Sequence, residues 1–250
     1  MRIAVAGGTG MVGRLVVEAA REAGHEPVAL ARSAGVDLMT GAGLEPALEG
    51  ADVVVDVSNV TSTSARTSIA FFEQTTRRLL DSGRRAGVKH HVALSIVGCD
   101  RVDFGYYLGK RRQEELVLAA DVPGSVLRAT QFHEFAGQVL ARVPGPVAVV
   151  PVMRSRPVAA REVAEALVRL AVQAPVGMAP ELAGPQEEDM TVLARRLLRT
   201  RGRRTLVVPV RLPGKTGRAM AGTGLLPEGP GMRGTETFDA WLQRTGGGTR

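Results

Sequence analysis

The chain has 250 residues, of which 44% are apolar and 23% charged, a composition that excludes intrinsic disorder as the main state. No run reaches the roughly 18 uncharged apolar residues of a membrane span, so we expect no membrane partner. The formal net charge is +7. Only 4% of residues are aromatic, which leaves little for a base-stacking surface, and we expect no nucleic-acid partner.

The cysteine and histidine content predicts no disulfide and no metal centre. Cys99 is the single cysteine, and the four histidines show no HxxxH or HExxH spacing. The N-terminal segment lacks the apolar run and the small-residue cleavage site of a signal peptide. We therefore expect a cytoplasmic protein, either a monomer or a homodimer.

Strand and helix patterns alternate along residues 1–130. Strands are predicted at 2–6, 27–31, 52–57, 91–95 and 125–128, and helices at 11–23, 44–48, 68–86 and 106–120. Continuous apolar strands separated by helices predict an α/β fold, with a doubly wound parallel sheet of the Rossmann type covered on both faces.

After residue 130 the alternation is less regular. Helices are predicted at 134–142, 161–173 and 190–200, and strands at 147–152 and 206–210. We expect residues 131–250 to form a smaller, interleaved substrate lobe, with 147–175 completing the sheet of the first domain. The remainder is rich in glycine and proline and is predicted to end in a frayed tail.

A glycine-rich turn, GGTGMVG, connects the first strand to the first helix. Glycine is required there for a tight turn, for backbone contact with a pyrophosphate and for close approach of helix to strand. The free N–H groups of the helix N-terminus then favour phosphate. In this strand–turn–helix context we predict a dinucleotide site rather than a plain glycine turn. Its residues are Gly7, Thr9, Gly10, Met11, Val12 and Gly13.

The end of the second strand favours NADP over NAD. An acidic residue there would bind the ribose 2′-hydroxyl of NAD, whereas this chain has Arg32 followed by Ser33, and arginine suits a 2′-phosphate. The alternative is a surface arginine in an arginine-rich chain. Asp37 is expected near the adenine, and Ser58 and Asn59 follow the third strand on the expected cofactor path.

Tyr106 and Lys110 form a YxxxK pair, which places both side chains on one helix face. A lysine beside the nicotinamide ribose lowers the pKa of a phenol, and the tyrosine can then give a proton to a carbonyl. Ser95, at the end of the fourth strand, is positioned to hydrogen-bond the substrate oxygen. The alternative is that the tyrosine packs and the lysine starts a solvated helix.

The segment after the fifth strand is a candidate substrate site, because α/β sheets bind ligands beyond the carboxyl ends of their strands. It contains Thr130, Gln131, Phe132 and His133. The alternative is a loop that packs the second lobe.

Several motifs in order resemble the atypical short-chain dehydrogenase/reductases, in particular their NmrA-like branch. They are GGTGMVGR, SIVGCD, YYLGKRRQEE and LRATQFHEF, and the resemblance spans about residues 2–175. It implies an NAD(P)-binding Rossmann domain with a small C-terminal lobe. By motif matching, it implies Gly7, Gly10, Gly13 and Arg32 as cofactor residues and Lys110 as an active-site group.

The expected function is that of an NADP-dependent oxidoreductase. Hydride would pass between the nicotinamide and a small, weakly charged carbonyl, enone or quinone, with Tyr106 as proton donor, Lys110 on the ribose and Ser95 on the oxygen. Two alternatives stay open. One is an NADP-sensing regulatory protein without catalysis, as some members of the NmrA-like branch imply, and the other is a nucleotide-sugar epimerase or dehydratase.

Overall fold

The computed structural model of the chain describes residues 1–143 and 145–246. The strands are β1 (Arg2–Ala6), β2 (Glu26–Leu30), β3 (Val53–Asp56), β4 (His90–Ile96), β5 (Gly124–Ala129), β6 (Val147–Pro151), β7 (Arg154–Ser155), β8 (Gly177–Met178), β9 (Leu182–Ala183), β10 (Glu188–Asp189), β11 (Leu206–Val210) and β12 (Met232–Arg233). The helices are α1 (Met11–Glu22), α2 (Leu44–Leu48), α3 (Ala65–Arg85), α4 (Gly105–Leu118), α5 (Phe135–Ala141), α6 (Ala160–Ala171), α7 (Met190–Thr200), α8 (Gly214–Ala221) and α9 (Phe238–Thr245).

These elements divide into two compact units. Unit 1 contains Met1–Asp100, Phe104–Arg128 and Ala160–Pro180. Unit 2 contains the described residues of Arg101–Asp103, Ala129–Ala159 and Glu181–Arg250.

Unit 1 is built on a parallel sheet with strand order β5-β4-β3-β1-β2, and β8 pairs with β5. The chain runs from β1 to β2 on one side and then crosses to β3 on the other side of β1. This reversal places helices on opposite faces of the sheet, with α1 against α6 and α3 against α4. The predicted α/β class with a parallel, Rossmann-type sheet is confirmed.

The core explains why these strands are parallel and central. All four residues of β3 are buried, as are the first six residues of β4. Strands buried on both faces need a cover on both faces, which the helices of unit 1 provide. The carboxyl ends of β1 and β3 therefore meet at the point of reversal, which is where open α/β sheets bind ligands.

Helices α3 and α4 approach each other closely because α4 has glycine at the contact. A Cβ atom on Gly109 would lie 2.7 Å from Cδ2 of Phe72 and 2.8 Å from the carbonyl oxygen of Ser68. A Cβ atom on Gly105 would lie 2.0 Å from the carbonyl oxygen of Thr63. Any larger side chain at either position would push the two helices apart.

In its described residues, unit 2 contains two separate two-stranded sheets: β7 pairs antiparallel with β10, and β6 pairs in parallel with β11. Its strand β9 pairs in parallel with Ala129, the last residue of β5, and with β12. Helix α7 packs against β6 and β11. The expectation that residues 147–175 complete the sheet is wrong for its strand, because β6 pairs with β11, in the separate two-stranded sheet.

The region after residue 210 is more ordered than its glycine and proline content predicted. Helix α9 is capped by Thr237, whose hydroxyl accepts a hydrogen bond from the N–H of Ala240, and it ends before Gly246, which is in the left-handed region. The side chain of Trp241 is buried, so α9 is held by packing. Of the predicted frayed tail, residues 247–250 lie outside the described residues.

Candidate functional site

The glycine turn after β1 is compact for a steric reason. The amide of Gly10 donates to the carbonyl of Gly7 at 2.9 Å, and Gly7 itself has a φ of 77°. A Cβ atom on Gly13 would lie 2.1 Å from the carbonyl oxygen of Gly7. Only glycine at position 13 therefore lets α1 pack this close to the turn.

The N-terminus of α1 is open to an anion. Gly10 precedes the helix without a side-chain cap, and the first turn has no acidic residue. The side chain of Arg14 is held beside this turn, because its Nε donates to the carbonyl of Thr9 at 2.8 Å. The uncapped N–H groups and the guanidinium together form a positive site of the kind that binds phosphate. The predicted residues Gly7, Thr9, Gly10, Met11, Val12 and Gly13 all lie in this turn and the start of the helix.

The residues predicted to select the cofactor follow β2. Arg32 and Ser33 are exposed in a short 3-10 turn. Among the residues that the structure describes, the Arg32 guanidinium forms no ion pair. Asp37 uses Oδ1 to accept the N–H groups of Met39 at 2.7 Å and Thr40 at 3.2 Å. It therefore shapes the loop after Arg32, and its contact with adenine stays a prediction.

The segment after β3 has a buried hydroxyl group beside the glycine turn. Ser58 is buried, and among the described residues its Oγ has no hydrogen-bond partner. A Cβ atom on Gly7 would lie 3.0 Å from the Cα of Ser58, so the two segments are in contact. A buried hydroxyl without a partner carries a desolvation cost that a polar ligand would relieve.

Asn59 connects this segment to α4. The hydroxyl of Tyr106 donates to Oδ1 of Asn59 at 2.9 Å, and the same oxygen accepts the N–H of Val60 at 2.9 Å. The predicted residues of the β3 end and of α4 thus meet at one place in unit 1.

Tyr106 and Lys110, which the spacing predicted to lie on one helix face, share a packing partner. The ring of Phe72 contacts the ring of Tyr106 edge to face at 5.8 Å between centroids, and Nζ of Lys110 lies 4.3 Å from the centroid of Phe72. Phe72 belongs to α3 and is itself fully buried. The aromatic ring therefore supports both candidate catalytic side chains.

Lys110 is the end of a buried polar network. Its Nζ donates to the carbonyl of Leu94 at 2.8 Å and to Oε1 of Gln113 at 2.9 Å. Nε2 of Gln113 donates to Oδ2 of Asp56 at 2.8 Å, and Oδ1 of Asp56 accepts the N–H of Ser58 at 2.9 Å. Burial lowers the pKa of Lys110 to about 8, while Asp56 opposes that change.

Sequence reasoning missed Asp56 and Gln113. Asp56 is the one charged residue in the strand VVVD, and a carboxylate at the end of a buried strand is a signal that a partner is required. Gln113 is three residues after Lys110, which places it on the same face of α4.

The pKa of the Tyr106 phenol is shifted in the direction opposite to our expectation. We expected Lys110 to lower its pKa, but burial raises the pKa of Tyr106, and Tyr107 and Cys99 raise it further. The correction has a physical cause: the lysine donates to Leu94 and Gln113, and the phenol donates to Asn59. Tyr106 is therefore a protonated hydrogen-bond donor across the neutral pH range.

Ser95 belongs to a different cluster from Tyr106. Its Oγ lies 3.8 Å from Sγ of Cys99, and that thiol donates to Oε1 of Glu114 at 3.2 Å. Glu114 in turn accepts two hydrogen bonds from Arg128, at 2.8 and 2.6 Å. Burial raises the pKa of Cys99 to about 12. The structure thus brings Tyr106 and Lys110 together, whereas the side-chain partner it gives Ser95 is the thiol.

Two of the four predicted substrate residues are bonded within unit 2. The hydroxyl of Thr130 donates to the carbonyl of Arg156 at 2.5 Å, and the hydroxyl of Ser155 donates to the side-chain oxygen of Gln131. Thr130 and Gln131 are both buried. These contacts fit the alternative of a loop that packs the second lobe.

His133 and Phe132 also make their contacts within unit 2. Nε2 of His133 is 3.1 Å from the carbonyl of Glu236, and its ring packs against Phe238 and Trp241 at 5.7 and 5.8 Å. Phe132 forms an isolated β-bridge with Val158. His133 is buried, so its imidazole is a packing group of unit 2. A substrate contact by these four residues stays a prediction.

In residues 1–143 and 145–246 no group of three His, Cys, Asp or Glu side chains is arranged to hold a metal. Over the same residues no helix is both long and apolar enough to cross a membrane.

Comparison with known proteins gives matches at two levels. The chain is 32% identical over 111 residues to the photosystem II assembly factor Ycf39 of Synechocystis sp., which covers 39% of this chain and 34% of that protein. The chain thus spans about a third of the length of that relative. Its fold matches the NADPH complex of the quinone oxidoreductase QOR2 from Escherichia coli with a TM-score of 0.72, at 18% identity over 97% of this chain and 99% of the other.

A second solved structure shares the fold. It is a short-chain dehydrogenase/reductase superfamily protein from Agrobacterium tumefaciens with bound NAD, with a TM-score of 0.69 and 20% identity over 98% of this chain and 96% of the other. The model of a family described as NAD(P)H-binding matches residues 7–174, which include the glycine turn, the Ser58 segment and α4. The chain therefore belongs to the NAD(P)H-binding family, with the fold of the short-chain dehydrogenase/reductases.

Proposed function

We propose that this protein is an NADPH-dependent oxidoreductase that reduces a small, weakly charged carbonyl, enone or quinone. The observation that carries the proposal is the hydrogen bond of 2.9 Å from Tyr106 to Asn59. It connects a protonated phenol to the residue that directly follows Ser58, whose buried hydroxyl lacks a partner in the described structure. A proton donor is thus tied to the segment that carries a candidate binding position.

The residues of the glycine turn fit a dinucleotide. The turn contacts Ser58 so closely that a side chain on Gly7 would meet it, and the N-terminus of α1 has uncapped N–H groups. These N–H groups and Arg14 would hold the pyrophosphate, and Ser58 Oγ would gain a hydrogen-bond partner.

Arg32 is the basis for NADP rather than NAD. Its exposed guanidinium makes no ion pair in the described chain and is available for a bidentate contact with a 2′-phosphate. No acidic residue lies between Ala31 and Val36 to bind a 2′-hydroxyl. QOR2, which shares the fold, has been solved with NADPH.

A bound nicotinamide supplies the hydride in this proposal. Tyr106 exchanges its hydrogen bond to Asn59 for one to the substrate oxygen that becomes negative, and then transfers its proton to that oxygen. The ammonium group of Lys110 has three N–H groups, and two of them donate to Leu94 and Gln113. The third would position the ribose. Asn59 and Phe72 hold the tyrosine, and Gln113 holds the lysine.

A second candidate is an NADPH-binding regulatory protein without catalysis. Two observations favour it: the pKa of Tyr106 is raised by burial, and Ser95 contacts the thiol of Cys99. Such a site has a weaker acid and one fewer oriented hydroxyl group than the proposed chemistry prefers.

One experiment separates the two. Purified protein is mixed with NADPH and a panel of aldehydes, ketones, enones and quinones, and nicotinamide absorbance is followed. Oxidation of NADPH by at least one member supports the oxidoreductase, and Tyr106→Phe must slow it. Tight NADPH binding with no oxidation by any member supports the regulatory protein.

A further inference from the structure

The two-stranded sheet formed by β6 and β11 in unit 2 has a solvent-facing side that is entirely apolar. In its register Val147 pairs with Leu206, Val149 with Val208 and Pro151 with Val210. Paired residues of a parallel ladder point to the same side. Leu206 is 63% exposed and Val149 46% exposed. We define the β6–β11 face as Val147, Val149, Pro151, Leu206, Val208 and Val210.

Three of the four residues on the opposite side of this sheet are packed in the interior of unit 2, and the fourth, Pro209, is exposed. Ala148, Val150 and Val207 alternate with the residues of the β6–β11 face and are buried, and α7 covers them. A sheet with one buried side normally has polar residues on the other. Apolar residues on both sides indicate that the exposed side also has a partner.

Basic residues surround the β6–β11 face. Residues 135–159 and 190–227 supply both strands, and together they contain twelve of the chain's 32 basic residues and none of its 25 acidic ones. Arg203 and Arg204 lie just before β11 and Arg211 directly after it, and all three are exposed. Within the described chain these three guanidinium groups form no ion pair, although Arg154 and Arg196 pair with acidic residues nearby. The rim is therefore positively charged and uncompensated.

We propose that the β6–β11 face and its arginines are a docking surface for a bilayer of anionic phospholipid. The lipid provides an apolar layer for the valine and leucine side chains and phosphate groups for the arginines. Such a surface contact needs no spanning helix, and none is found among the described helices. The proposal does replace our expectation from the sequence that the protein has no membrane partner.

The side-chain chemistry favours lipid over protein. A protein interface has about one hydrogen bond per 100–200 Å², and none of the six side chains of the β6–β11 face can donate or accept one. A second copy of the chain would bring two arginine rims together, and like charges across an interface oppose association. Both objections disappear for a fluid anionic layer.

The experiment is co-sedimentation of the full chain with vesicles of phosphatidylcholine alone and of phosphatidylcholine mixed with phosphatidylglycerol in equal parts. We expect binding to the mixed vesicles at low salt, weakened at least about tenfold on pure phosphatidylcholine and weakened again by added salt. Arg203→Glu/Arg204→Glu and Val149→Ser/Leu206→Ser must each reduce binding about tenfold or more.

The matched control is Arg84→Glu/Lys89→Glu, which makes the same change of charge at exposed positions of unit 1. It must leave vesicle binding within a factor of about two. Thermal melting and NADPH affinity are measured for all variants, so a misfolded variant is recognised.

Four outcomes would overturn the proposal. They are no binding to mixed vesicles, binding that the serine variant leaves unchanged, and a dimer in sedimentation velocity that the serine variant dissociates. The fourth is polyglutamate binding stronger than vesicle binding and dependent on both residue sets, which would assign the face to an acidic protein.

Discussion

Lys110 and Gln113 form a buried hydrogen bond, 2.9 Å from the lysine Nζ to the amide oxygen. One turn of α4 therefore holds the lysine, and the other end of the same amide donates to Asp56 at 2.8 Å. A buried ammonium held mainly by neutral oxygens loses its proton more easily than one in water.

The first prediction concerns pH. NADPH affinity is expected to fall as the pH rises through about 8, because Lys110 loses its charge there. Fluorescence titration on both sides of that pH measures the effect. Lys110→Met, which has no titrating group, must bind more weakly and show no such pH dependence.

The lowered pKa of Lys110 makes NADPH affinity fall with rising pH, but it makes the stability of the fold rise. The unfolded chain binds the lysine proton up to its ordinary pKa of 10.5, whereas the folded chain releases it near 8. The contribution of Lys110 to the free energy of unfolding therefore increases as the pH rises between those values. A contribution that decreases over this pH range would contradict the burial of the ammonium group.

The second prediction concerns the proton donor. Tyr106→Phe is expected to reduce turnover about a hundredfold, since general acid catalysis contributes about 10²–10⁴-fold, and to leave NADPH affinity nearly unchanged. Steady-state kinetics with a substrate found in the panel provide the measurement. Tyr107→Phe is the control, because the neighbouring residue is turned about 100° around the helix. Full activity of Tyr106→Phe would assign the proton to water or another group.

The third prediction concerns the glycine turn. Gly13→Ala is expected to destabilise the fold by about 1–3 kcal/mol and to abolish NADPH binding, because its Cβ would meet the carbonyl of Gly7. Gly83→Ala is the matched control. A Cβ atom on this helical glycine would lie 3.5 Å from the Cβ of Val88, which is an ordinary contact, so alanine should be neutral or stabilising there. Denaturant unfolding and NADPH titration test both. Equal behaviour of the two variants would contradict the steric argument.

The fourth prediction concerns cofactor choice. NADPH is expected to bind more tightly than NADH, and Arg32→Ala should remove most of that difference. Loss of a charge-assisted contact costs about 1.5–3 kcal/mol, or about ten- to a hundredfold in affinity. Calorimetric titration of both cofactors measures the ratio, with Arg21→Ala as an exposed control on α1. Equal affinities in the unchanged protein would make Arg32 an ordinary surface residue.

The fifth prediction concerns acid stability. Burial lowers the pKa of His91 to about 4, against 6.5 for a free histidine. The unfolded chain binds a proton between those values and the folded chain does not, so stability falls as pH drops below 6.5. Between pH 7 and 5 the loss is about 2 kcal/mol. Urea unfolding of His91→Leu beside the unchanged protein measures it, and an identical pH dependence in both would exclude His91.

Much of the secondary structure of unit 1 could be predicted from local sequence patterns. The apolar run of β3 and the alternation of strand and helix could be predicted because the type of each segment follows from its own apolar pattern. The glycine turn was also predictable, since its sterics are local. The pairing of β6 with β11 was not, because their residues lie more than fifty positions apart and no local pattern encodes the register.

The site was predictable to a similar extent. Spacing brought Tyr106 and Lys110 to one face of α4, but the partners of each came from distant elements, Asn59 after β3 and Leu94 in β4. The environment of a phenol depends on such partners, so the direction of the Tyr106 pKa could not be read from YxxxK. His133 was a candidate substrate residue in the sequence because the aromatic rings of α9 that pack against it are about a hundred residues away.

Gly109 has a consequence for how this protein can change shape. It seats α4 on Phe72 and on the backbone of α3 with no room for even a methyl group, and Phe72 is also the ring that Lys110 and Tyr106 rest on. The two helices must therefore move as a single rigid piece. Any breathing that admits or releases a substrate has to occur in the loops that flank this piece, and attempts to redesign the pocket should vary those loops and leave position 109 as glycine.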